Sequence, residues 1–285
     1  MKLYFSKNKK QARNLYLLAL VITVIIAIIV FNVREYDFLA IMYAFVAFVL
    51  LRIIVNSYVK RKDDKALYSL LNILYDRRNP ELFLNEIEDK INFENLSKKQ
   101  ITNILIHKAI AKCYNGEIDE AKDLLTYIES KTEDDNSLLK LLFYKIMFKI
   151  IDGQSKGITE EIIAFKELTR LKKTDKIVKS NLKSDKTQLK YLEFFDNKIN
   201  ECDLLSKIVK SERLSKANDQ LLDGYIKNAD SQLQYEMLNY FAAVNKVNKN
   251  DLPEAINFLV KIETFPIGNT VIQKKALKLQ NKIKE

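Results

Sequence analysis

The residue types that carry nucleophilic, metal or acid–base chemistry are few in this chain and poorly spaced for it. There is one histidine, His107, and there are two cysteines, Cys113 and Cys202. His107 and Cys113 stand six positions apart in one helical pattern, which turns them to different faces and argues against a zinc pair. The sequence holds no Cys-x-x-Cys and no His-Glu-x-x-His. Its glycines, at 116, 153, 157, 224 and 268, are not clustered as a phosphate-binding loop or a dinucleotide turn requires. Gly153 and Gly157 form a G-x-x-x-G, but in a polar turn where it cannot serve as a membrane-helix seam. The adjacent acids Glu160-Glu161 and Asp134-Asp135 fall where helices should begin, and there carboxylates favour the helix dipole. The residues therefore predict no catalytic, cofactor-binding or metal site, and no enzyme.

The charge distribution is more informative. The formal net charge is +10, but residues 1–65 hold eleven Lys/Arg and four Asp/Glu, leaving only +3 for the rest. A nucleic-acid binder concentrates basic residues on a folded face, so nucleic acid is not an expected partner. The lysine-rich stretch 171–186, with Lys172, Lys173, Lys176, Lys179 and Lys183, is expected to be a loop or irregular connection. It either contacts anionic lipid or an acidic partner, or is simply solvated.

That basic N-terminal region surrounds two apolar runs, Leu15–Phe31 and Phe38–Val55. Each has roughly the 17–25 residues a helix needs to cross a bilayer core. A two-span membrane anchor is expected over residues 1–59, with spans at about 15–32 and 38–55 and a short external loop at 33–37. Lys2, Lys7, Lys9, Lys10 and Arg13 precede the first run, and Lys60, Arg61, Lys62 and Lys65 follow the second. Positive flanks favour the cytoplasmic side, so both termini are expected inside. The first run ends in Ile-Ile-Val-Phe-Asn, without the small residues of a signal-peptide cleavage site. Neither run shows the polar stripe of a soluble core helix. Apart from Tyr16 and Asn32 at the ends, only Thr23, Tyr43 and Arg52 are polar within the spans, which suits an anchor and offers little to an ion path.

From about residue 60 the apolar residues recur at helical spacing, with few glycines or prolines to interrupt them. Ala66, Leu67, Leu70, Leu71 and Leu74 form one face up to a break at Arg77-Arg78-Asn79-Pro80, and Pro80 opens the next helix. Further helices carry Ile104, Ala109, Ile110 and Cys113; Ile118, Ala121, Leu125 and Ile128; and Leu138, Leu142, Ile146 and Ile150. Later ones carry Ile162 and Phe165; Leu192, Phe195, Ile199, Cys202 and Leu205; and then a pair joined by Asn248–Asp251. A last helix, with Ile272, Ala276, Leu279 and Ile283, is placed to cover the end of the stack. Both cysteines fall on core faces and are expected to act as small buried hydrophobes.

Two turns carry a recognisable pattern. In Ala109–Ala121 a small residue, the turn glycine Gly116 and Ala121 stand in register, with Leu125 four positions on. Ala243–Leu259 repeats the arrangement, with Asn250 for the glycine and then Pro253-Glu254-Ala255. This resembles the tetratricopeptide repeat, a helix–turn–helix unit of about 34 residues. The match is partial, since Lys112 and Lys246 occupy the first-helix aromatic position and Glu161 stands where alanine is expected. The fold class expected for residues 60–285 is thus an all-α, TPR-like solenoid of antiparallel helix pairs in the cytoplasm. The resemblance implies a groove lined by first helices that takes a protein or peptide partner. The functional expectation is a membrane-anchored scaffold or adaptor. The alternative is an accessory or regulatory subunit of a membrane transport or secretion complex, its hairpin packed on partner spans.

Overall fold

The computed structural model of the chain describes the backbone of residues 4–33, 38–91, 93, 96–132, 135–179, 184–263 and 269–285. The fold is all-α, and no strand occurs among the described residues. The helices are α1 (Tyr4–Val33), α2 (Phe38–Tyr75), α3 (Pro80–Lys90), α4 (Lys98–Asn115), α5 (Ile118–Lys131) and α6 (Asp135–Asp152). They continue as α7 (Ile158–Lys179), α8 (Ser184–Val209), α9 (Lys216–Lys227), α10 (Gln232–Asn248), α11 (Leu252–Glu263) and α12 (Val271–Lys284). The chain divides into two units, residues 1–71 with 85–98, and residues 72–84 with 99–285.

In the first unit, Tyr16 of α1 donates a hydrogen bond to Asn56 of α2, which brings the start of one apolar run level with the end of the other. Ala19, Thr23 and Val55 are buried, and Thr23 Oγ1 donates to the Ala19 carbonyl at 2.7 Å, so its hydroxyl is satisfied within the helix. Most of the other described apolar side chains here face outward, among them Leu17, Leu20, Ile25, Ile28, Phe45 and Ile54. Among the described residues no helix is long and apolar enough to cross a membrane, so the structure does not show the two expected spans. Residues 34–37 of the expected external loop lie outside the described residues. Farther along this unit, Ala66, Leu70, Ile87 and Ile91 are buried. Helix α2 has no glycine or proline and runs unbroken from Phe38 to Tyr75, where the sequence pattern suggested a new element near residue 60.

In the second unit each helix from α5 onward packs on the next, and α6, α8, α10 and α12 also pack on their next-but-one neighbours in series. The turns follow local chemistry. Asn79 Oδ1 accepts from the Leu82 amide at 3.0 Å while Pro80 takes the first helical position, where its missing N–H costs nothing. Gly116 has φ +99° and Asn250 φ +62°, the left-handed conformation that the paired turns led one to expect there. Ala109, Ala121, Ala243 and Ala255 are all fully enclosed, consistent with helices that approach too closely for larger side chains. Glu161 takes a different course and pairs with Lys149 at 2.5 Å.

Two features depart from the sequence reading. The stretch 171–179, expected as a loop, continues α7; lysines cost a helix little and no glycine or proline stops it. Residues 180–183 lie outside the described residues. The second departure concerns burial. Helices α5, α7, α9 and α12 bury one face each, as in α5 with Ala121, Leu125 and Ile128. Helices α4, α6 and α10 are enclosed nearly all round, as in α10, where Leu233, Glu236, Met237, Leu238, Asn239 and Phe241 are all buried. An inner set is wrapped by an outer set, so Leu138 and Leu142 stay half-buried while Leu139 and Leu141 fill the core.

Candidate functional site

The inner helices of the second unit carry its concentration of half-buried polar and aromatic side chains. Tyr75, in the last turn of α2, shares a hydrogen bond with His107 Nδ1 of α4 at 2.8 Å, with the rings edge to face. Tyr75 is also hydrogen-bonded to Tyr144 of α6. Burial, reinforced by Lys140, lowers His107 to about 4, so the imidazole is neutral at physiological pH. The neutral ring shares Nδ1 with the Tyr75 hydroxyl, donating or accepting according to its tautomer. Burial also raises Tyr75 and lifts Tyr144 to about 12, which keeps both phenols protonated as donors.

The strip continues across α8. Lys198 lies 5.5 Å from the Phe194 ring and 6.0 Å from that of Phe143. Its ammonium meets Glu201 at 3.0 Å and Asp230 at 3.3 Å. Glu201 is almost wholly buried and accepts in addition from Gln234 of α10. The strip therefore crosses the end of α2 and α4, α6, α8 and α10 in turn. It offers ring faces, neutral hydroxyls and a lysine held between two carboxylates, which is equipment for recognition.

Beside it the chain closes on itself. Tyr114 of α4 donates to Met237 Sδ of α10 at 3.3 Å, across 123 positions of sequence. Arg78, in the turn after α2, bonds Glu236 of α10 at 2.7 Å, with side chains 4% and 1% exposed. Thr270, the residue that caps α12, donates its hydroxyl to the other Glu236 oxygen while forming a capping box with Gln273. Burial raises the Glu236 carboxyl, while Thr270 and Arg78 pull it back. Lys275 of α12 then donates to the Ile151 carbonyl in the last turn of α6 at 2.5 Å, a position where a cation complements the helix dipole. Helix α10 is therefore tied both to α4 and to the turn after α2, and the half-buried strip lies beside these contacts.

The residues singled out from the sequence are scattered with respect to this strip. His107 belongs to it, but Cys113 is fully buried beside Lys275 and Asp152, and burial pushes its thiol up. Cys202 is also buried, with its sulfur 3.6 Å from Met147 Sδ, so both cysteines are core residues as expected. Lys173 pairs with Asp196, while the side chains of Lys176, Lys179 and Lys183 lie outside the described residues. Lys112, at the position where the repeat pattern wants an aromatic, clamps Glu117 and Glu120 at 2.6 Å each and so braces the turn at Gly116. No group of His, Cys, Asp and Glu suited to a metal ion occurs among the described residues. Arg78, Glu236 and Thr270 left no signal in the sequence as a set. The caps did, because Ser231-x-x-Gln234 and Thr270-x-x-Gln273 both fit the capping-box pattern.

The chain matches no family model, and comparison finds no similar curated protein and no similar solved structure.

Proposed function

We propose that the protein is a membrane-anchored, non-enzymatic scaffold or adaptor, with α1 and the apolar part of α2 set in a bilayer and a TPR-like helical array binding a protein or peptide partner. The observation that carries this reading is the outward apolar surface of that helix pair. Leu17, Leu20, Ile25, Ile28, Phe45 and Ile54 are each close to half exposed or more, with little polar side chain among them. Water-soluble chains rarely leave a contiguous apolar surface of that kind uncovered. Lipid covers it on every side at once, and the flanking lysines and arginines place both ends in the cytoplasm. The half-buried strip from Tyr75 to Gln234 supports the binding role.

Alkaline extraction of membranes tests the anchor: the full chain should stay in the pellet, and release into the supernatant overturns the assignment. Orientation is read with an impermeant maleimide on intact cells. Glu35→Cys should label and Glu285→Cys should not, against native thiols that are both buried. The converse pattern reverses the topology. A photo-cross-linker at Phe194, which is 45% exposed, tests the adaptor role. Failure to capture a specific protein, repeated at Tyr144, removes it. Exchanging residues 1–59 for an unrelated two-span anchor distinguishes the accessory-subunit alternative, which loses function on exchange where an adaptor keeps it.

A further inference from the structure

We infer that the basic end of the α1–α2 pair is a binding surface for anionic phospholipid headgroups, drawn from one leaflet only; the inference rests on the bilayer placement proposed above. The hydrogen bond from Tyr16 to Asn56 sets the register of the two helices. Residues before Tyr16 in α1 therefore lie at the same end of the pair as residues after Asn56 in α2. Four basic residues fall from Lys7 to Arg13 and four from Lys60 to Lys65, against two acids, Asp63 and Asp64. The farthest of them stands nine positions from the Tyr16–Asn56 level, which is about 14 Å along a helix. A headgroup layer is roughly 5–8 Å deep and the Debye length about 8 Å, so this charge acts within that layer and just outside it.

The side chains at this end suit an anion at an interface. Arg13, Arg61 and Lys65 are exposed, and Lys62 Nζ lies 4.9 Å from the centre of the Tyr58 ring, an aromatic at headgroup level. Phosphodiester oxygens of a lipid headgroup accept from guanidinium and ammonium groups alike. The sequence between the two apolar runs is different in kind, with Arg34 against Glu35 and Asp37. A zwitterionic headgroup has no net charge to complement the basic end, whereas each basic residue near an anionic surface favours contact roughly fivefold. Charge complementarity therefore selects an anionic lipid, and at one end of the pair.

The chain has no tryptophan, so a single introduced one is a clean reporter of its lipid neighbours. Ile54→Trp places it just inside the basic end and Ile28→Trp nearer the other, both at exposed positions. Each full-length variant is reconstituted into vesicles of phosphatidylcholine containing a minority of phosphatidylglycerol, with one lipid or the other brominated in its acyl chains. Fluorescence quenching then gives the share of each lipid in contact. Phosphatidylglycerol should exceed its bulk share by roughly fivefold at position 54 and match it at position 28. Arg13→Gln, Arg61→Gln and Lys65→Gln together should bring position 54 towards the bulk share, while quenching by brominated phosphatidylcholine persists and shows the helices still inserted. Bulk shares at both positions overturn the inference and leave the bilayer placement standing. A preference that survives the triple substitution, or one equal at the two positions, also overturns it. Quenching by neither lipid overturns the bilayer placement and this inference together.

Discussion

Replacing Arg78 by methionine separates two ways in which a buried ion pair can fail. Arg78 and Glu236 meet at 2.7 Å with side chains 4% and 1% exposed, so neither charge has water to fall back on. Removing one partner of such a pair costs about 3–5 kcal/mol. Arg78 has φ +52°, and methionine keeps a Cβ, so the backbone strain at this position is the same in both proteins. The orphaned Glu236 has a remedy that an orphaned arginine lacks, because it can take a proton. Its carboxyl is already raised above 4.5 by burial, and losing Arg78 raises it further. With the folded value above the unfolded one, stability is fully present below about pH 4.5 and is lost as pH rises through the folded value. Arg78→Met should therefore be mild near pH 5 and cost its full 3–5 kcal/mol near pH 8. At about 2–4 °C per kcal/mol, the melting temperature at pH 8 falls by roughly 6–20 °C. Glu236→Gln leaves a guanidinium that stays charged, so its penalty should be nearly flat over the same range. The assay is thermal unfolding followed by circular dichroism from pH 5 to pH 8. Parallel pH profiles for the two variants would refute the reasoning.

Three further outcomes are expected. Burial lowers His107 to about 4, so its folded form resists protonation, and stability should fall as pH drops from about 6.5 towards 4. His107→Gln should flatten that part of the profile, as read from denaturant midpoints at pH 5 and pH 7.5; an unchanged slope assigns it elsewhere. At the paired turns, Gly116→Val should destabilise by about 1–2 kcal/mol, because φ is +99° there, whereas Asn250→Gly should change stability by less than about 1 kcal/mol. Urea midpoints for the two variants check this, and a larger loss at Asn250 would count against it. Ile25, 50% exposed in the first unit, tests the bilayer directly. Arginine there should cost about 2.5–3.5 kcal/mol of insertion and lower the membrane-bound fraction, while a helix facing water would tolerate it.

Most helices were legible because their signals are local. Pro80, Gly116 and Asn250 mark turns within a few residues of themselves, and the structure places breaks at all three. The extension of α7 through Lys179 was misread because lysine density suggested solvation, although nothing in Leu171–Lys179 ends a helix. All-round burial of α10 had a visible correlate in Gln232–Asn248, which carries one acid and one lysine over 17 residues. The buried Arg78–Glu236 pair had none. Arg78 looked like part of a helix break, and its partner lies 158 positions away, beyond any periodicity. The half-buried strip was hidden for the same reason, since Tyr75, His107, Tyr144 and Lys198 come from four helices.

The late position of α10 sets an order of events during synthesis. Met237 and Glu236 complete the surroundings of Tyr114 and Arg78, residues that leave the ribosome more than a hundred positions earlier. Until residues 232–248 emerge, α4 and α8 have no α10 to pack against them. Long sequence separation of this kind slows folding, because loop closure must precede the contacts that reward it. The nascent chain therefore carries Tyr114 and Arg78 without their partners until most of its helices are made.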